Sequence, residues 1–253
     1  MIRTRIIPIL LLMDEGLVKG TNFKNHKYVG DPINAVKIFN EKLVDELFFF
    51  DIFAGKEKKD INFNLIADVA SEAFMPLGYG GGIKNINQIE KLFKIGIEKV
   101  AFNTAAYSDQ NFVKDAVKVV GSQSIVISID VRKTFLGKYE VYVNNGQVNT
   151  KLNPVDYAKK MEDLGVGELI ICSIDREGTD KGYDLKLLEI VSNAVDIPVI
   201  GLGGASSLLN MVEAKNKTSV SGLAAGNLFI YYGKHKAVLI NYPKNNELKK
   251  LFN

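Results

Sequence analysis

The chain has 253 residues, 47% of them hydrophobic, with 32 basic against 29 acidic side chains and a formal net charge of +3. That is enough apolar material for one large core, and too little net charge to point to a nucleic-acid polymer as the main partner. The single Cys172 sits in an apolar run, which leaves no disulfide framework and fits a reducing, cytoplasmic setting, and no apolar stretch is long enough for a membrane span.

In chain order, short apolar runs alternate with amphipathic ones. Residues 6–12 form the first expected strand, followed by a long polar loop over 14–30 that carries Lys19, Lys24 and Lys27. Asp31 and Pro32 mark a helix start, an N-cap carboxylate followed by the residue whose fixed φ suits the first turn. Ile33, Val36, Phe39 and Leu43, three to four apart, give that helix one face for the core. Further strands are expected at 46–52, 75–79, 99–103, 124–129, 168–174, 198–202 and 222–225. They lack clean polar alternation, as strands covered on both faces should. After the fifth strand, residues 133–150 read as a small hairpin, from the alternation Tyr139-Glu140-Val141-Tyr142-Val143 and the turn Asn144-Asn145-Gly146. Asn153-Pro154 then repeats the earlier helix start. Eight strand–helix units in this order predict an α/β fold, a single (β/α)8 TIM barrel with no linker or domain break.

The chain also nearly repeats itself. A shift of 122 residues sets Pro32 on Pro154, Glu46 on Glu168, Pro76 on Pro198 and Gly81-Gly82 on Gly203-Gly204. Nearer the starts of the halves, a shift of 119 sets residues 7–12 on 126–131. Two homologous half-barrels are expected, about 1–122 and 123–253. One copy offers Asp130 where the other offers Leu11.

The loops after the strands line the face where barrel active sites lie. Gly81-Gly82 follows the third strand and Gly203-Gly204 the seventh; Asn103-Thr104 and Gly226-Asn227 follow their neighbours, and Gly178-Thr179 follows the sixth. Bare backbone N–H groups there can meet an anion closely, and two such cradles suit a substrate phosphorylated at both ends. Tight turns alone are the plainer alternative. Asp130, closing an apolar strand, is expected to point into the barrel mouth as a partly desolvated acid/base group, or else to cap a helix or pair with Arg132. Asp51 closes the second strand. Asp175 either binds substrate hydroxyls or organises its loop. At the opposite strand ends, Arg5, Glu46, Lys99 and Glu168 converge as two cations and two anions, which on plain physical grounds is a salt-bridge plug in the barrel floor. His26 and His235 read as exposed loop residues, no cluster has metal-ligand spacing, and no cofactor is expected.

Together these residues are similar to the cyclase subunit of imidazole glycerol phosphate synthase over nearly the whole chain. The likeness is carried by Arg5-Ile6-Ile7-Pro8, Val18-Lys19-Gly20, Gly30-Asp31-Pro32, Asp45-Glu46-Leu47, Gly80-Gly81-Gly82-Ile83, Gly121-Ser122-Gln123, Gly167-Glu168, Asp175-Arg176-Glu177-Gly178-Thr179, Gly182-Tyr183-Asp184 and Gly203-Gly204-Ala205. The resemblance implies a glutaminase subunit docked on the N-terminal rim, ammonia passing through the barrel, and a bis-phosphorylated substrate at the other face. It implies that Arg5, Glu46, Lys99 and Glu168 gate the ammonia entrance and that Asp130 is one of two catalytic aspartates. It assigns one phosphate to Gly82, Asn103 and Thr104 and the other to Gly178, Gly204 and Gly226, with Lys19 in a mobile loop that closes over substrate.

The departure is Leu11, where the histidine-pathway enzyme has its second catalytic aspartate. Gly226-Asn227, in place of a Ser or Ala, alters the second cradle as well. The run Leu10-Leu11-Leu12 with Gly16-Leu17-Val18-Lys19 resembles instead a branch of the family that accompanies enzymes amidating bacterial surface sugars. The expected function is therefore ammonia delivery from a glutaminase to a sugar amidotransferase, with the cyclase site reduced. The alternative is an authentic cyclase that forms imidazole glycerol phosphate and aminoimidazole carboxamide ribotide.

Overall fold

The computed structural model describes residues 4–54 and 60–252. Its centre is a ring of eight parallel strands: β1 (Arg5–Met13), β2 (Leu47–Asp51), β3 (Leu77–Gly80), β4 (Lys99–Phe102), β5 (Ile125–Lys133), β6 (Glu168–Ser173), β7 (Val199–Leu202) and β8 (Gly222–Ala225). Each bonds to its sequence neighbours, and β8 returns to β1 with Arg5 opposite Gly222 and Pro8 opposite Ala225. No strand edge of the barrel is left open. Helices α1 (Pro32–Lys42), α2 (Phe63–Ser71), α3 (Ile86–Lys94), α4 (Gln110–Val120), α5 (Pro154–Asp163), α6 (Leu185–Ser192), α7 (Leu208–Lys217) and α8 (Asn245–Phe252) follow the strands in turn. The fold is a (β/α)8 TIM barrel, as the alternation of apolar runs requires.

The helix starts use the expected chemistry. Asp31 accepts from Asn34 N at 2.8 Å and Asn153 from Val155 N at 2.8 Å, each with proline next in the helix. Asn85 and Asp184 cap α3 and α6 in the same way. One apolar layer, including Leu10, Phe39, Leu47, Val100, Ile127 and Leu187, fills the space between strands and helices. A second fills the barrel interior: Ile7, Ile9, Phe48, Ala101, Val126, Ile170, Cys172, Ile200, Leu202 and Ala224. Each large side chain buried there contributes roughly 1.5–3 kcal/mol.

Two glycines of β3 serve that inner layer. Gly78 lies opposite Phe48 and Gly80 opposite Phe50 in the parallel register, and a Cβ at either would collide with the facing ring. The rings themselves stack with centroids 5.8 Å apart. Bulk on β2 is thus matched by its absence on β3.

One expectation needs correction. Residues 14–30 are not a polar loop but an antiparallel hairpin, Gly16–Thr21 and Lys24–Gly30, with its first arm paired to the end of β1 (Leu11 opposite Val18). Leu17, Val18 and Lys19 are buried. Asn22 and Phe23 make the two-residue turn, both at positive φ (51° and 64°), the conformation such tight hairpins require. The predicted hairpin after β5 is present, with Tyr139–Val143 paired to the extended end of β5 and to Val148–Asn149. Among the described residues, no helix is long and apolar enough to cross a membrane.

Candidate functional site

At the N-terminal end of the barrel the four predicted charges form a closed alternating ring. Arg5 reaches Glu46 at 2.6 Å and also bonds Glu168; Lys99 reaches Glu46 at 2.7 Å and Glu168 at 2.8 Å. The carboxylates are buried while the cations keep some solvent contact. The strands dictate this, because Arg5, Lys99 and Glu168 open their strands and Glu46 immediately precedes β2, which brings all four to the N-terminal end of the barrel. Immediately above it begins the apolar inner layer.

At the C-terminal end lies a cavity of about 550 Å³, a volume suited to a small metabolite. Its walls include Leu11, Asp51, Gly81, Gly82, Asn103, Thr104, Ser128 and Asp130. Asp130 is buried, and β5 runs past it to Lys133, so it does not close its strand. Burial in apolar surroundings pushes its carboxyl up to about 7, against a smaller opposing effect of the Ser128 hydroxyl. Ser128 Oγ donates to Asp130 Oδ1 at 3.4 Å and Asn103 Nδ2 to Oδ2 at 3.3 Å. No ion pair with Arg132 forms; that guanidinium lies 5.4 Å from the Tyr142 ring. Leu11 contributes an apolar wall to the same cavity, as do Phe23 and Phe50, all three packed against the inner apolar layer.

The other expected residues divide. Asp51 accepts from Phe53 N and Ala54 N at 2.9 and 2.8 Å, so it shapes the loop after β2 as well as lining the cavity. Asn103 also donates to Ser128 O at 3.0 Å, and Thr104 Oγ1 accepts from Asn144 N at 2.9 Å, which ties the second hairpin over this side. Asp175 is exposed and accepts from Lys133 N at 2.9 Å, organising its loop. Thr179 Oγ1 donates back to Arg176 O at 2.7 Å. None of Asp175, Gly178, Thr179, Gly203, Gly204, Gly226 and Asn227 lines the cavity. Lys19 does not line it either; it is buried, and its Nζ donates to Ile9 O at 2.5 Å.

Several wall residues escaped the sequence reading, among them Ser128, His26, Glu177 and Lys84. Ser128 precedes Asp130 by two, and strand alternation puts both on one face. His26, expected as an exposed loop residue, is half-buried on the first hairpin and faces the cavity. Glu177 also faces it, and burial, partly offset by the nearby charge of Lys19, raises its carboxyl above the usual range. Among the described residues, no group of three or more His, Cys, Asp or Glu could hold a metal ion.

Residues 5–236 match the family described as histidine biosynthesis protein. The chain belongs to that family. It is 50% identical over 248 residues, 98% of this chain and 99% of the relative, to a Pseudomonas aeruginosa protein provisionally named imidazole glycerol phosphate synthase subunit hisF2. It is 44% identical over 253 residues, all of both chains, to a Leptospira borgpetersenii protein provisionally named subunit HisF of that synthase. A Hydrogenobaculum protein named imidazole glycerol phosphate synthase subunit HisF is 38% identical over 248 residues, 98% of each chain. A histidine biosynthesis family barrel with a leucine facing Asp130 across its mouth poses the question of what the site still does.

Proposed function

We propose that this chain is the barrel subunit of a glutamine-dependent ammonia-delivering complex. In this reading a glutaminase docks on the N-terminal face, ammonia crosses the barrel, and a partner enzyme amidates a bacterial surface sugar. The observation that carries the reading is the contrast between an intact charge ring and a cavity with only Asp130 where an acid at position 11 would oppose it. Leucine neither accepts nor donates a proton, and losing one positioned acid/base group typically costs 10²–10⁴-fold in rate.

Two further features support it. Between ring and cavity the barrel interior is apolar, which disfavours ammonium because a charge is costly to desolvate, while neutral ammonia meets no such penalty. Around the ring, Leu43 and Phe74 are 71% and 88% exposed, and Asn40 joins the two loops through Leu43 N and Phe74 N. Exposed apolar side chains on the loops that lead into β2 and β3, at the end of the barrel that carries the ring, suit a protein partner.

The test is co-purification with a glutaminase of the same organism, followed by glutamine hydrolysis by the complex. The expected result is a stable complex whose hydrolysis rises on association, and its loss in Leu43→Glu/Phe74→Glu, which leaves the cavity untouched. A chain that binds no glutaminase contradicts the reading. Retention of Asp130 favours the cyclase alternative, and ammonium-dependent turnover of the histidine-pathway precursor decides between them.

A further inference from the structure

Three projections stand on the rim of the C-terminal mouth, outside the cavity. The hairpin after β5 ends in a tight turn over 134–138, closed by Thr134 N–H to Lys138 O at 2.7 Å and Gly137 N–H to Thr134 O at 2.9 Å. At its tip Phe135 is fully exposed and Leu136 is 82% exposed. After β8 comes a short antiparallel pair, Tyr231–Tyr232 and Ala237–Val238, and Tyr232, Val238 and Leu239 there are more than half exposed. On the first hairpin Tyr28 is exposed as well. The loop after β6 anchors all three. Lys133 N–H donates to Asp175 Oδ2 at 2.9 Å, Lys236 Nζ to Asp180 Oδ2 at 2.6 Å, and Asn22 N–H and Nδ2 to Glu177 O and Ile174 O at 2.9 and 2.8 Å. Projections held in place beforehand lose little freedom when something binds them.

Charge decides what this rim fits. Lys24, Lys27, Lys138 and Lys234 are exposed beside the apolar side chains. Among the described residues none of the four has an acidic partner. Where the two hairpins meet, Gly146 has both Phe23 and Arg132 beside it. Arg132 is half-buried, its Nε is buried with no hydrogen-bond partner, and its guanidinium lies 5.4 Å from the Tyr142 ring. A desolvated donor without an acceptor is costly, and a carboxylate brought from outside would satisfy it. We propose that this rim is the docking surface of the enzyme that consumes the ammonia, which meets it with an acidic, partly apolar patch. The inference rests on reading the chain as an ammonia-delivering barrel. Ammonia that left the mouth into open water would be protonated and diluted, so its acceptor sits over the mouth. The apolar tips exclude water there, and the lysines steer and orient the acidic partner. An anionic membrane would meet the same tips, but it uses no ammonia.

The experiment measures binding of the purified sugar amidotransferase of the same organism to the full chain in its complex with the glutaminase, at low and at high salt. The expected result is binding that weakens as salt rises. Phe135→Glu/Leu136→Glu, at exposed positions, should weaken it at least ~tenfold and leave the unfolding midpoint and the glutaminase affinity unchanged. Lys138→Glu/Lys234→Glu should weaken it at low salt and flatten the salt dependence. Binding by the wild-type complex that neither double variant weakens, or that salt leaves unchanged, overturns the inference while the delivery reading stands. A wild-type complex that binds no amidotransferase overturns the delivery reading itself, a distinct failure. Vesicles of phosphatidylglycerol and phosphatidylcholine form the last arm. Vesicle binding lost in Phe135→Glu/Leu136→Glu, with amidotransferase binding kept, gives the tips to a membrane and also overturns the inference.

Discussion

At the N-terminal end of the barrel, Arg5 and Lys99 each bridge Glu46 and Glu168, so four charges cancel inside one ring. At the C-terminal end, Asp130 and Glu177 face a cavity, and no lysine or arginine among the described residues hydrogen-bonds either carboxylate. The first arrangement is complete without a ligand. The second leaves acceptors and raised carboxyl groups turned toward a space, which is how a protein holds polar groups for something that binds. The same comparison separates the two glycine cradles, since Gly81 and Gly82 line the cavity and Gly203 and Gly204 do not.

Each prediction sharpens one side of this contrast, taken from the largest effect. Asp130→Asn is expected to raise stability at pH 8 by about 2–4 kcal/mol and to change it little at pH 4. The sign follows from a folded pKa of about 7 against an ordinary 3.8. Below the lower value both states are protonated; as pH rises toward 7 the unfolded chain ionises first, and the wild-type protein loses stability that the asparagine variant keeps. Urea unfolding across that range measures it, and a flat difference would mean that Asp130 is solvated after all.

At the ring, Arg5→Met should lower stability by about 2–3 kcal/mol, less than an isolated buried pair would lose, because Lys99 still bridges both carboxylates. Unfolding midpoints give the value, and no change would remove the ring from the account of the barrel floor. Gly78→Ala drives a methyl into the Phe48 ring and is expected to cost about 1–2 kcal/mol, with Phe48→Leu recovering most of it in the double variant. Additive effects would show that the two do not share space. The smallest effect is Asn22→Ala, about 1 kcal/mol and local: one side-chain hydrogen bond is lost, and hydrogen exchange should quicken in Gly16–Thr21 while the barrel strands stay protected.

What could be read from residues alone follows from how local each cause is. The barrel strands are buried on both faces, so runs such as Leu47–Asp51 and Glu168–Ser173 announce themselves by lacking polar alternation. The Pro-marked helices were equally legible, since Asp31 and Asn153 act on their own turns. The first hairpin was not. Its turn places Phe23 at positive φ, with no Asn-Gly pair to signal it, and the buried Lys19 bonds Ile9 O on β1, a tertiary contact that no local pattern announces. Glu177 was missed for the same reason: its surroundings come from the hairpin laid across its loop. Leu11 and Asp130 were found together because the internal repeat aligned them, and both line the cavity.

The central claim, that the barrel keeps its route for ammonia while its cyclisation chemistry is reduced, meets its most direct test in one assay. The purified chain is given saturating ammonium salt and the phosphoribulosyl precursor of the histidine pathway, and formation of imidazole glycerol phosphate is followed. Turnover at least ~100-fold below that of a cyclase with both aspartates is predicted. Turnover within tenfold of such an enzyme would contradict the account.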